Sequence, residues 1–497
     1  MSKQLELDMI TQAELERYLW GTAELLRGQI DASDYKQFIF PLLFYKRLCD
    51  VYDEEFQQAI EDFGGDEEYA ALPEQHRFQV PKRYHWDHVR TMTKDVGKAI
   101  QTAMRELEKA NSDKLYGIFG DAPWTNKERL PDSLLVRLME HFSTHKLTIA
   151  NVPQDELGNA YEYLIKKFAD DSGHTAAEFY TNRTVVHLMT QLVQLQSGET
   201  IYDPTCGSGG MLLNAVLQLR QQGKEYRNVK VYGQEINLIT SAIARMNLFL
   251  HDIEEFEILR GDTLDDPKFV EDDRLKQFDV VLANPPYSVK RWNQGKFAAD
   301  SRRNWFGTPP KANADYAFFQ HIIASLKPET GRAAILYPHG ILFRDSEAEI
   351  RKGVVEADWI EAVIGLGANL FYNSPMESCV VVLRSRKLPE RQGKILFIEG
   401  VQQVTRERAQ SFLSATNLKK LLGAYFDPDE YSEMARLVDL EEIRSNKHNL
   451  SIPLYTRQAD GHRQYDISTA QQAWQDSRIV LQEQTEALFA ALRNIGY

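Results

Sequence analysis

The chain has 497 residues, 43% apolar content and a net charge of −14 at neutral pH; it is long enough for roughly three domains and for a sizeable core. The acidic balance excludes a free-standing binder of nucleic acid, which needs a basic face against the phosphates, unless positive charge is concentrated locally or a partner supplies much of the grip. Three widely spaced cysteines, Cys49, Cys206 and Cys379, offer no disulfide framework and no zinc spacing, and the lack of a signal pattern or of an apolar run of about 18 residues predicts a cytoplasmic protein without a membrane span.

Residues 1–150 read as a helical N-terminal domain. Thr11 and Glu14 form a capping-box pattern before a helix with Leu15, Tyr18, Leu19, Ala23 and Leu26 at helical spacing. Asp34 is placed to cap a second helix through the apolar run Phe38–Tyr45, which Pro41 would kink or delay. The stretch from Gly64 to Trp86 reads as a loop, followed by helices near 92–110 and 131–143. His85 and His88, and His141 and His145, have helical spacing but no further ligand pattern, so they read as ordinary surface or core histidines.

From 151 to about 400 the pattern alternates. Strands are expected at 199–204, 229–234, 256–260, 278–283, 332–337, 359–364 and 378–384, with helices at 209–222, 236–250, 313–326 and 346–356. Such alternation predicts an α/β domain, a doubly wound and mostly parallel sheet of seven strands. After 400 the alternation gives way to a helical C-terminal extension over 401–497, with helices expected at 407–422, 430–444 and Ser468–Arg493. In the last, Trp474, Leu481 and Leu488 fall seven apart and Leu492 adds to the seam; this stripe packs either on the chain's own core or on a partner helix.

Two strand ends carry the chemistry, because ligands of open α/β sheets bind outside the carboxyl ends of strands. The first is Asp203-Pro204-Thr205-Cys206-Gly207-Ser208-Gly209-Gly210. Its glycines let the backbone turn sharply and approach a ligand. Leu212 stands where a dinucleotide fingerprint needs its third glycine, and no Gly-Lys-Ser/Thr follows, so neither a dinucleotide loop nor a P-loop is present. Glu235, at the next strand end, can accept from both hydroxyls of a ribose, and Asp262, after the third, from an adenine amino group. Together they point to an adenosyl cofactor without a pyrophosphate.

The second is Asn284-Pro285-Pro286-Tyr287. The prolines stiffen the turn, so that the Asn284 side-chain oxygen and the Pro285 carbonyl can both accept from one exocyclic amino group. Two such acceptors localise the nitrogen lone pair of an aryl amine, which then needs no strong base to attack an activated methyl group. Tyr287 offers a flat face for stacking. Beyond it, Lys290, Arg291, Lys296, Arg302 and Arg303 interleave with Trp292, Phe297, Trp305 and Phe306, opposed only by Asp300. Such a loop suits a phosphate backbone and unstacked bases, and a base inside a duplex would have to flip out to reach it.

At these residues the chain resembles N6-adenine DNA methyltransferases, and more narrowly the modification subunits of type I restriction–modification systems. The resemblance extends over Asp34–Tyr52, Ala160–Ile165, Glu178–Thr181, Asp203–Gly210, Asn284–Tyr287, Ala314–Phe318, Ala368–Phe371 and Asn449–Pro453. It implies S-adenosylmethionine as cofactor and a Rossmann-like methyltransferase fold. It further implies that Glu178, Phe179, Tyr180, Thr181, Asn182 and Arg183 close over the methionine end. Asp203, Thr205, Gly207, Ser208, Gly209 and Gly210 would cradle the cofactor, with Glu235 on the ribose and Asp262 on the adenine. Asn284, Pro285 and Tyr287 would hold the target base. Two modification subunits would join one specificity subunit that reads DNA, and a restriction subunit is left open. The same four-residue loop also serves methylation of RNA bases and of protein glutamine, and a non-catalytic cofactor-binding scaffold is the remaining alternative.

Overall fold

The structure, a computed structural model, describes residues 10–171, 181–370, 376–407 and 410–456, with scattered helical positions between 471 and 485. Thr11 and Glu14 close their capping box on the helix Gln12–Leu26. The helix Tyr35–Asp62 runs unbroken through Pro41. Phe38, Ile39, Phe40, Leu42 and Leu43 around that proline are all buried, and burial of this order, about 1.5–3 kcal/mol per side chain, outweighs one lost helical hydrogen bond. The helices Val96–Ala110 and Asp132–Phe142 complete the bundle. Its core extends into the next region through Tyr161 and Leu164 and through Ile243 and Met246. Arg47 fastens the turn between the two, donating to the carbonyls of Leu147, Thr148 and Val152 at 2.6, 2.7 and 2.9 Å.

Two of these histidines, His85 and His141, serve the fold. His85 Nδ1 accepts from the Asp87 N–H at 3.2 Å and caps a short helix, and His141 Nε2 lies 2.8 Å from the Tyr18 carbonyl. His85 does group with Asp53 and Asp87, but Lys146 Nζ stands 3.8 and 4.0 Å from those two carboxylates and supplies the countercharge.

All seven expected strands are present. They are β1 (Thr200–Asp203), β2 (Lys230–Glu235), β3 (Phe256–Arg260), β4 (Val280–Ala283), β5 (Arg332–Pro338), β6 (Ile360–Leu366) and β7 (Ser378–Arg384). Two more, β8 (Lys394–Ile398) and β9 (Ala435–Asp439), widen the sheet to nine strands in the order β9-β8-β6-β7-β5-β4-β1-β2-β3. Pairing is parallel from β3 through β5 and between β6 and β8. β7 runs antiparallel to β5 and β6, and β9 antiparallel to β8. Successive side chains serve opposite faces: Ile201, Val280 and Leu282 enter one core layer, and Tyr202, Val281 and Ala283 the other.

The region after 400 is less helical than expected. The span read as a helix over 430–444 contains β9 and only a short helix, Leu440–Ser445. The span 407–422 holds a hairpin, Thr405–Glu407 with Gln410–Phe412, before the helix Ala415–Phe426. In the terminal stripe Trp474 and Leu481 are exposed at 58% and 64%, while Leu488 and Leu492 lie outside the described residues.

One glycine sets the height of the glycine-rich loop Asp203–Gly210 above the sheet. A Cβ on Gly233 in β2 would sit 2.6 Å from Ile258 Cδ1 and 2.9 Å from Cys206 Sγ. Gly233→Val should therefore destabilise the fold by about 1–3 kcal/mol through overpacking, read by denaturant unfolding. A variant as stable as the parent would show that loop and strand do not interlock here.

Candidate active site

The glycine loop is held by main-chain contacts to the neighbouring strand. The Cys206 N–H donates to the Gln234 carbonyl at 3.0 Å, and the Gly209 N–H to the Cys206 carbonyl at 2.8 Å. Gly207 and Gly209 take φ of +53° and +76°, the left-handed region that disfavours a side chain. The helix Gly210–Gln221 starts directly behind them and presents its free N–H groups to the cleft. From the adjacent helix Asn247 Nδ2 donates to the Ser208 carbonyl at 3.2 Å.

Asp203 ends β1 almost fully buried, and its Oδ1 accepts from the Thr205 N–H at 2.9 Å. Burial, with Glu235 nearby, pushes its carboxyl up to about 7. Glu235 accepts from the Gly207 N–H at 3.1 Å and the Asn237 N–H at 2.8 Å. Its carboxyl is likewise raised by burial, against the pull of those N–H groups and of Lys36 from the N-terminal bundle. Asp262 sits one strand further on, with Oδ1 turned back to the Leu264 and Asp265 N–H groups at 2.9 and 3.3 Å.

Asn284 follows β4, the strand next to β1, and stands in the same cleft as the glycine loop. That cleft is lined by Thr181, Arg183, Asp203, Thr205, Gly207, Ser208, Gly210 and Asn284, joined by Glu162, Met211 and Asn214. Asn284 Nδ2 donates to Thr181 Oγ1 at 3.0 Å, and its Oδ1 accepts from the Tyr287 hydroxyl at 2.7 Å. Pro285 is buried and Pro286 exposed, while Tyr287 is half-buried against the sheet core. Ser288, at φ +51°, turns the chain away, its N–H bound to Asp315 Oδ1 at 2.8 Å. Asp315 is fully buried and paired with Arg344.

Some expectations change. Glu178, Phe179 and Tyr180 lie outside the described residues. Asn182 is not turned to the cofactor cleft as expected: it is buried and caps the helix Arg183–Val193, with Oδ1 accepting from the Thr184 N–H at 3.0 Å and Nδ2 donating to the Ser411 carbonyl at 3.1 Å. Arg303, expected on DNA, is 1% exposed. Its guanidinium binds the carbonyls of Thr263 and Leu264, stands 3.2 Å from His321 Nδ1 and pairs with Asp300 at 3.0 Å. Arg302 forks onto the same Asp300 at 2.7 and 2.9 Å. Arg303 therefore anchors the loop and Arg302 pairs within it, and the loop also has a small core of Phe297 with Leu264, Ala317 and Phe318. Lys290, Arg291 and Lys296 remain exposed, Lys296 at 3.6 Å from Asp265.

Two residues, one in the cleft and one beside Glu235, were missed in the sequence. Glu162 is 8% exposed and paired with Arg183; a lone acid on the apolar face of Tyr161, Leu164 and Ile165 was the available signal. Ile236, directly after Glu235, is 61% exposed, a bare aliphatic surface between the two acids proposed for ribose and adenine.

The model of the N-6 DNA methylase family matches residues 152–464, and that of the HsdM N-terminal domain residues 15–142. The MjaVII methylase subunit of a type I restriction enzyme from Methanocaldococcus jannaschii is 30% identical over 92% of this chain and 80% of its own. The MpnII methylase subunit from Mycoplasma pneumoniae is 28% identical over 91% of each chain. A crystal structure of a type I restriction–modification methyltransferase subunit from Streptococcus thermophilus superposes with a TM-score of 0.77 at 31% identity, covering 90% of this chain and all of that one. With the glycine loop and the Asn-Pro-Pro-Tyr turn in one cleft, and with both family models spanning most of the sequence, the chain belongs to the N-6 DNA methylase family, among the methylase subunits of type I restriction enzymes.

Proposed function

We propose that the chain methylates the N6 amino group of a flipped-out adenine in DNA with S-adenosylmethionine, as the cytoplasmic modification subunit of a type I restriction–modification complex. The observation that carries this reading is Asn284 in the cleft of the glycine loop, its amide fixed on both sides.

The cleft fits the cofactor. Asp203, Glu162 and Glu235 supply negative charge for a cationic sulfonium and ammonium. Among the described residues Arg183 Nε has no hydrogen-bond partner, which leaves it available to a carboxylate. Glu235, Ile236 and Asp262 line up along the ends of β2 and β3 for ribose and adenine. When bound, S-adenosylmethionine supplies an electrophilic methyl group. The chain's residues do the rest. Asn284 Oδ1 has two lone pairs, one taken by Tyr287 and one left for the target amine. The Pro285 carbonyl would be the second acceptor for that amine, so the nitrogen keeps a directed lone pair and would lose its proton to solvent as the bond to the methyl group forms. The aromatic face of Tyr287 is the stacking surface for the base.

The specificity partner supplies what a chain of net charge −14 lacks. We propose two copies of this chain per specificity subunit, with the exposed Trp474 and Leu481 facing that partner, and a restriction subunit as a further component. Lys290, Arg291 and Lys296 are the proposed phosphate contacts beside the target.

Three outcomes test the reading. Asn284→Ala should lower the single-turnover rate by about 10²–10³-fold, as loss of one oriented polar group at a reacting centre does, and leave cofactor affinity by calorimetry intact; unchanged turnover would contradict it. Asp203 has its carboxyl near pH 7 in the free chain, and a bound cation favours the ionised form and lowers that value. Affinity should therefore be full above pH 7 and fall as pH drops through it, with proton release on binding, by about tenfold per unit at the steepest. A flat profile would remove Asp203 from the cofactor. Replacing Lys290 and Arg291 together by Ala should weaken DNA binding of the assembled complex and reduce its log–log salt slope by about 2; an unchanged slope would take the loop off the DNA.

A further inference from the structure

Among the described residues one cleft hydroxyl touches the Asn-Pro-Pro-Tyr turn directly. Thr181 comes from the segment before the helix Arg183–Val193, and Asn284 from the end of β4, 103 positions later in the chain. Their side chains meet at 3.0 Å. We propose that Thr181 is a positioning residue for methyl transfer: its hydroxyl holds the Asn284 amide so that Oδ1, and not the amide nitrogen, faces the target amine.

The need for such a residue follows from the chemistry of the side chain. A carboxamide has an acceptor end and a donor end of nearly the same shape. Turned by half a rotation, Asn284 would present N–H groups to the N–H groups of the target, and the amine would be repelled. The Tyr287 hydroxyl, a phenol and so a better donor than acceptor, favours Oδ1 on its side, and an accepting hydroxyl on the other side completes the choice. Among the described residues Thr181 is the other polar neighbour of the amide, and its aliphatic hydroxyl, a better acceptor than a phenol, receives Nδ2.

Thr181 can do this because its own backbone is held. The next residue, Asn182, is pinned at both ends of its side chain, to the Thr184 N–H at 3.0 Å and to the Ser411 carbonyl at 3.1 Å. The hydroxyl of Thr184 in turn accepts from the Leu413 N–H at 2.9 Å. The hairpin Thr405–Phe412 and the chain just after it therefore brace the segment that carries Thr181, from a region distant in sequence. The part of the chain expected to close over the cofactor thus also sets the orientation of the group that grips the base.

This inference rests on the role proposed for Asn284, and its test separates the two. In the full chain assembled with its specificity partner, Thr181→Val removes the hydroxyl at nearly constant volume and Thr181→Ser keeps it. Single-turnover methyl transfer on duplex DNA is measured at saturating S-adenosylmethionine, beside cofactor affinity by calorimetry. The Val variant should lose about tenfold or more in rate with cofactor affinity within about twofold of the parent, the Ser variant should recover most of the rate, and Thr181→Val added to Asn284→Ala should cost nothing further. Loss of cofactor affinity in the Val variant, with the parent rate restored at saturation, would make Thr181 a cofactor ligand and overturn the proposal. An unchanged rate, or an additive loss on the Asn284→Ala background, would overturn it as well. Were Asn284→Ala itself fully active, the reading of the whole site would fall, and not this inference alone.

Discussion

The register between β1 and β4 is the constraint on which the rest of the structure depends. Ile201 lies opposite Val280 and Tyr202 opposite Val281 in parallel pairing. Two chains that leave a parallel pair at the same edge must emerge side by side, so the glycine loop and the Asn-Pro-Pro-Tyr turn share one cleft. A one-residue slip would turn the four buried residues of β4 to the wrong faces of the sheet. The core layers above and below therefore fix the register, and the register fixes the site. Tyr202 shows the link: its hydroxyl lies 3.1 Å from His321 Nε2, whose other nitrogen faces Arg303, the anchor of the basic loop.

Charge is distributed along the same logic. The chain as a whole is acidic, and burial drives Asp203 in the cleft and Glu235 behind the glycine loop toward their neutral forms. Carboxyls in that state gain most from a cationic ligand, so the cost of burying them is offset when one arrives. On the basic loop, the one opposing acid decides which arginines are available. Asp300 holds Arg302 and Arg303, and the exposed positive charge of the loop sits on Lys290, Arg291, Lys296 and Lys311.

Much of this was legible in the sequence because it rests on local signals. The seven strands announced themselves as short apolar runs, and Gly207, Gly209, Asn284 and Tyr287 by residue types that only a turn at a strand end requires. What escaped reading depends on distant partners. β9 contains Ala435, Arg436 and Leu437, good helix formers, and runs into the helical spacing of Leu440 and Ile443; only pairing with Ile395–Ile398 makes it a strand. Arg303 looked like its basic neighbours until the carbonyls of Thr263 and Leu264, some forty positions earlier, claimed it. Asn182 looked like part of a cofactor segment, but Ser411 takes its amide. Pro41 signalled a break that the surrounding buried aromatics overrode.

The central claim is that this cleft brings an activated methyl group to the exocyclic nitrogen of adenine. Its most direct test is to incubate the chain and its specificity partner with methyl-labelled S-adenosylmethionine and unmethylated duplex DNA. The digested nucleosides are then analysed by mass spectrometry. The account predicts label in N6-methyladenine and nowhere else in the DNA. Label in a cytosine derivative, in RNA or in a protein glutamine would contradict it.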